Sequence, residues 1–171
     1  IDGALETNES YWHKYMSIPS YSRIRDILDT LKYMGTVKEV LFVWRSPGGN
    51  AKGSFALADH MAKLQNEGLR MTSFADTGMM SAAILLGVVP KEIYANADAD
   101  IGSVGAVSVV RTRRKMIEEM GIEVKTFKYG RLKDIGSPYR DMTKEEEDFF
   151  QSRINKMGAQ IAMHVQKHRA M

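Results

Sequence analysis

An α/β fold with a mostly parallel sheet is the class this sequence predicts, and three observations predict it. Short strand-like runs (Val40 to Trp44, Leu69 to Phe74, Glu92 to Ala95) alternate with longer segments whose apolar residues recur every three or four positions. Such alternation is the mark of right-handed βαβ units. The run Val-Leu-Phe-Val-Trp has no polar interruption, as in a strand covered on both faces. Glycines close the helical segments at Gly35 and Gly68, where a left-handed residue can end a helix.

Taken in order, Ile1 to Glu6 reads as a short strand and Thr7 to Pro19 as a loop. Ser20 caps a helix carrying Ile24, Ile27, Leu28 and Leu31. Val40 to Trp44 runs into Ser46-Pro47-Gly48-Gly49, and a helix follows from Gly53 to Glu67 with Phe55, Ala58, Met61 and Ala62 on one face. After the strand Leu69 to Phe74, the turn-forming residues Asp76, Thr77 and Gly78 lead to a small-residue apolar helix starting near Met79, with Ser81 in its first turn. Past Gly102-Ser103-Val104-Gly105, a strand is expected at Ala106 to Val109, a helix ending at Gly121 and a strand at Ile122 to Phe127. Lys128 to Asp141 reads as a polar surface loop. Thr143 and Glu146 form a capping box for a last helix whose apolar positions are Phe150, Ile154, Met157, Ile161 and Val165.

With 171 residues the chain reads as one domain that buries a core without staples. It contains no cysteine, which excludes disulfides, thiolate metal sites and a cysteine nucleophile. The net charge of +3 is mildly basic, and the one local cluster, Arg111, Arg113, Arg114 and Lys115, lacks the interleaved aromatics of a nucleic-acid surface. It reads as a solvated helix start. Apolar runs such as Ile84 to Val89 are too short to span a bilayer, and no signal-peptide pattern opens the chain. His13, His60, His164 and His168 do not form a metal spacing, and the last two fall near a helix end expected to fray. Asp59 and His60, adjacent on a helix, face different ways and cannot form a triad with a serine. Lys52 follows Ala51 where a phosphate-binding loop needs glycine, so nucleotide binding is not expected.

Three segments could carry chemistry. A hydroxyl at a strand-to-helix junction stands near unpaired N–H groups and the positive end of a helix dipole, where an oxyanion would be stabilised. By itself Ser81 reads first as a plain helix-start serine, since Ser is common at such places. The two glycines after Ser46-Pro47 allow positive φ and can turn N–H groups into a cleft at the strand's carboxyl end, or simply make a tight turn. Lys133 is a possible base, which would require burial to disfavour its charged form, or a solvated loop lysine.

Four motifs in order then resemble the SppA-type signal peptide peptidases and the related phage head-maturation proteases of the ClpP/crotonase superfamily. They are Ser-Pro-Gly-Gly (Ser46 to Gly49), Ser81 with Ile-Tyr-Ala-Asn beginning twelve residues on at Ile93, Gly-Ser-Val-Gly (Gly102 to Gly105), and the stretch Leu132 to Glu146. The resemblance implies a ClpP/crotonase-like spiral of ββα units, shortened at both ends. Position by position it implies Ser81 as nucleophile and Lys133 as general base. Gly48 or Gly49 with the N–H of Ala82 would form the oxyanion hole, and Ser103 would support the lysine. It further implies an extended peptide or polypeptide substrate lying along Asn50 and Ala51 and near Val104, with a small or apolar side chain beside Ser81. Cofactors are none, and the partner implied beyond substrate is a homo-oligomeric ring without nucleic acid. An SppA-type protein would be membrane-associated through a segment this sequence lacks; a phage-type one would act in the host cytoplasm or prohead. Arg45 stands where family members carry Asp or Asn, and Ser81-Ala82-Ala83 is closer to the phage branch. Two other classes fit the same superfamily: an acyl-CoA hydratase-like enzyme needing neither Ser81 nor Lys133, and a catalytically inactive peptide-binding scaffold.

Overall fold

The computed structural model describes residues 1–8 and 18–169. His13, and most of the loop expected between Thr7 and Pro19, lie outside the described residues. Contacts divide the chain into two compact units, one of residues 1–105 with 161–171 and one of residues 106–160.

The first unit holds helix α1 (Tyr21–Met34), strand β1 (Glu39–Ser46), helix α2 (Ser54–Asn66), strand β2 (Arg70–Met80), helix α3 (Ala82–Gly87) and strands β3 (Glu92–Ala95) and β4 (Asp100–Gly102). Every strand pairing is parallel: β1 and β3 flank β2, and β4 pairs with the last residues of β2. The expected α/β class with a mostly parallel, open sheet is what forms. Ser20 caps α1 by accepting from the Arg23 N–H at 3.2 Å, and Gly35 ends it at φ 69° with its N–H on Lys32.

β1 departs from the expected two-sided cover. Phe42, Trp44 and Ser46 are buried on one face, whereas Leu41 on the other is 58% exposed, so burial alternates with the strand's own period. Trp44 stacks on Phe42 with ring centroids 5.8 Å apart, and its buried indole N–H donates to Ser73 Oγ at 3.1 Å. On α2 the buried positions are Leu57, Ala58, Met61 and Leu64, so the helix is turned from the expected face and Phe55 is only half-buried. The N-terminal segment makes isolated parallel bridges, Asp2 to Arg45, Leu5 to Gly49 and Glu6 to Ser20, rather than a regular strand, because it follows β1 through an irregular turn.

The second unit contains the short helix α4 (Arg114–Glu119) and the start of the long helix α5 (Lys144–Arg169). The strands expected at Ala106 to Val109 and Ile122 to Phe127 are not formed. Val107, Val109 and Phe127 are 85%, 71% and 92% exposed, and strand-forming side chains stabilise a ladder only when a partner and a packed face exist. The capping box of α5 is present: Thr143 N–H donates to Glu146 at 2.9 Å and Glu146 N–H to Thr143 Oγ1 at 3.3 Å.

The end of α5 is docked instead of frayed. His164 is buried and donates from Nε2 to Leu85 O at 2.7 Å, and the Arg169 guanidinium gathers the carbonyls of Val88 (2.5 Å), Lys91 (3.0 Å) and Pro90. These carbonyls lie just past α3, where intrahelical partners run out. Arg169→Ala is expected to lower stability by about 1–3 kcal/mol, since hydrogen bonds from a charged donor are the stronger kind. A urea melt would show this as a lower midpoint at unchanged slope.

Candidate active site

β2 ends at Met80 and α3 begins at Ala82, so Ser81 is the whole of the junction. The helix begins later than expected, because Asp76, Thr77 and Gly78 do not turn the chain. β2 continues through them as an irregularity in the β1 pairing: Trp44 pairs with Ala75 and Arg45 with Gly78, which leaves Asp76 and Thr77 as extra residues. Asp76 is then tied on both sides. Arg45 Nε lies 2.5 Å from its Oδ2, and Asn96 Nδ2 donates to its Oδ1 and backbone O at 2.9 Å each. The charge that Arg45 brings is thus taken up by Asp76.

Ser81 sits at φ 49°, ψ −120°. For a residue with a side chain such a conformation costs roughly 1–3 kcal/mol and persists only where the surroundings over-determine it. The surroundings do so here. Ser81 N–H donates to Gly102 O and its carbonyl accepts from Ile84 N–H, both at 3.0 Å, while Met79 and Met80 pair with Ile101 and Gly102. The Ser81 hydroxyl does not cap α3 and has no hydrogen-bond partner among the described residues.

The Ser-Pro-Gly-Gly turn packs directly against this junction. Gly48 has φ 101°, and a Cβ on it would lie 2.6 Å from Ser81 Cβ and 2.9 Å from Ala82 N, so only glycine fits. On the other side Leu5 N–H donates to Gly48 O at 2.7 Å and Leu5 O accepts from Asn50 N–H at 2.8 Å. In that parallel bridge the N–H and C=O of Gly49 itself point away from Leu5. The N–H of Gly48 is engaged with Ser46 Oγ at 3.2 Å, whereas those of Gly49 and Ala82 have no acceptor among the described residues. Of the two glycines left open by the sequence, Gly49 is the one with a free donor.

Asn50 commits its N–H to Leu5 and its C=O to the Tyr21 hydroxyl at 2.6 Å. Main-chain pairing with a ligand along this segment is therefore left to Gly49 and the N–H of Ala51. Ser103, at φ 55°, is exposed and directly follows the residue bonded to Ser81, and Val104 beyond it is 56% exposed. These are the sequence-selected residues the first unit brings together.

Lys133 belongs to the second unit. Its side chain is exposed and in no ion pair among the described residues, so that unit alone does not provide the burial a lysine base requires. What the second unit organises is the loop around it. Arg140 reaches both oxygens of the buried Glu146, at 2.5 and 2.7 Å, and Asp134 at 3.1 Å, and Lys128 pairs with Asp134 as well. Apart from the capping role of Glu146, none of these contacts was legible beforehand, although Asp134, Arg140 and Glu146 all lie within one of the matching motifs.

These contacts hold both carboxyls at about 2: Glu146 through Arg140 and the Thr143 N–H, Asp134 through Lys128 and Arg140. A carboxyl depressed in the folded state contributes stability above its unfolded value near 4, and loses it as pH falls towards 2. The protection of amides across residues 128–147, measured against their intrinsic exchange rates, is expected to fall between about pH 4 and pH 2. Arg140→Ala should bring that fall to higher pH.

The model of peptidase family S49 matches residues 63–171, more than half of the sequence. The chain belongs to peptidase family S49. The matched span of this S49 chain includes Ser81, Ser103 and Lys133, and the Ser-Pro-Gly-Gly turn precedes it. A Methanocaldococcus jannaschii protein named as a protease, MJ0651, is 33% identical over 84% of this chain and 46% of its own length. An Enterococcus faecium protein named as signal peptide peptidase SppA is 30% identical over 67% of the chain and 33% of its own. The capsid assembly protease C of Escherichia phage lambda is 23% identical over 96% of the chain and 37% of its own. The chain thus spans less than half the length of each of these relatives. The expected likeness to both the SppA-type and the phage proteases is borne out. Among the described residues no helix is long and apolar enough to cross a membrane.

Proposed function

We propose that this chain is the catalytic region of a serine endopeptidase in which Ser81 is the nucleophile and Lys133 the general base. The observation that supports the reading is the strained Ser81 junction, where the Ser81 hydroxyl and the N–H groups of Gly49 and Ala82 have no hydrogen-bond partner among the described residues. Ser81 Oγ attacks the peptide carbonyl and passes its proton to Lys133 Nζ, and the oxyanion is received by the Gly49 and Ala82 N–H groups. The proton moves to the departing amine as the C–N bond breaks, which leaves an acyl-enzyme that water hydrolyses. Ser103 orients Lys133. Substrates are extended polypeptides with a small or apolar residue beside Ser81, signal-peptide remnants being the class the SppA relative's name suggests. A ring of copies is the assembly.

Acid quenching during turnover of a peptide p-nitrophenyl ester tests the intermediate. Mass mapping is expected to find the acyl group on Ser81. An acyl group on another residue, or turnover without any acyl-enzyme, would overturn the proposal.

A further inference from the structure

Ser46 is a buried hydroxyl that the mechanism above does not use. It is the last residue of β1, 1% exposed, and its Oγ lies within hydrogen-bond reach of Gly3 O, of Gly48 N–H and, at 3.5 Å, of Gly48 O. Its Oγ donates to Gly3 O at 2.7 Å and accepts from Gly48 N–H at 3.2 Å. The N-terminal segment meets the same turn again one step on, where Leu5, wholly buried, brackets Gly49 through Gly48 O and Asn50 N–H. The turn is packed closely on both sides: a Cβ added to Gly48 would lie 2.6 Å from Ser81 Cβ, and one added to Gly49 would run into the Leu5 carbonyl oxygen.

We infer that Ser46 is a positioning residue for the oxyanion donor: by holding the Gly48 N–H and the Gly3 carbonyl it locks the turn against the N-terminal segment, whose Leu5 N–H in turn holds Gly48 O, and so it fixes the Gly48–Gly49 peptide plane that presents the Gly49 N–H to the carbonyl under attack at Ser81. This inference rests on Ser81 being the nucleophile. Two rotatable glycines would otherwise let that plane turn, and an oxyanion donor is effective only when it is aimed beforehand at the charge that develops. Ser46 acts through Gly48 and Gly49 and touches no reacting atom. Its loss should therefore weaken the transition state while leaving ground-state peptide binding in place.

A pair of probes separates the two states: a tripeptide aldehyde ending in alaninal, whose hemiacetal with Ser81 places an oxyanion at Gly49, and the matching alaninol, which cannot be attacked. In Ser46→Ala the aldehyde is expected to bind about 10- to 100-fold more weakly, with kcat for a fluorogenic peptide falling in parallel. Alaninol affinity and KM should stay at the parent values. Ser46→Cys, close in volume and a weaker hydrogen-bonding group, should fall between the parent and the alanine variant, which guards against a mere folding defect. Unchanged aldehyde affinity and kcat in Ser46→Ala, or aldehyde and alaninol weakening together, would overturn the inference while leaving the nucleophile in place. A parent protein that forms no hemiacetal and turns over no peptide would instead overturn the nucleophile, and this inference with it.

Discussion

Ser81→Ala is expected to lower kcat/KM for peptide hydrolysis by at least about 10⁴-fold, with no loss of thermal stability. The size follows from what the residue does: without a nucleophile no acyl-enzyme forms, and only binding and the oxyanion donors remain to assist water. The unchanged or raised stability follows from geometry. Alanine carries the same Cβ into the strained φ 49° position and removes only a hydroxyl that has no hydrogen-bond partner among the described residues. Kinetics on a fluorogenic peptide, beside a thermal melt, would check both halves. Lys133→Ala separates the base from the nucleophile. If Lys133 accepts the Ser81 proton, its removal should cost roughly 10²- to 10⁴-fold in rate. Activity retained in Lys133→Ala but lost in Ser81→Ala would keep the serine mechanism and require another base.

Gly48→Ala should disable the same site from the other side. The added methyl would lie 2.6 Å from Ser81 Cβ, 2.8 Å from Met80 O and 2.9 Å from Ala82 N, and two of those three atoms are main chain. No flexible side-chain end can move aside, so either the turn or the junction must shift. Overpacking of this kind costs roughly 1–3 kcal/mol. Holding a residue with a side chain at φ 101° adds roughly another 1–3. A urea melt is expected to show a loss of about 2–6 kcal/mol, and any protein still folded should lose the Ser81 reactivity with it. A variant with parent stability and activity would mean that the turn and the junction are not in contact.

Helix limits were the most legible part of the fold, because capping is local chemistry. Ser20 and Gly35 for α1 and Thr143 with Glu146 for α5 act over three or four residues, and each does what its residue type suggests. Strands were legible only where a partner exists. Leu69 to Phe74 and Glu92 to Ala95 pair, whereas Ala106 to Val109 and Ile122 to Phe127 have comparable side chains and no ladder. The turn-like residues before Ser81 misled for a related reason. Asp76 and Gly78 suit a turn, but the pairing of β1 with β2 on both sides of them keeps the chain extended and expels two residues as an irregularity.

By itself, the sequence determined the α/β class, the capped ends of α1 and α5, the likeness to the SppA-type and phage proteases through motifs in a fixed order, and Ser81 as the residue to watch. Those depend on residue type and on spacing along the chain. Which glycine keeps a free N–H among the described residues, why Gly48 admits no side chain, what Asn96 and Ser46 bond to, and how Arg140 braces the loop around Lys133 were decided only by the tertiary structure. Each depends on atoms far apart in sequence, as when Gly3 and Leu5 meet residues 46 to 50 or Asn96 meets Asp76. A donor is free, or a Cβ is excluded, only relative to what the rest of the chain brings beside it.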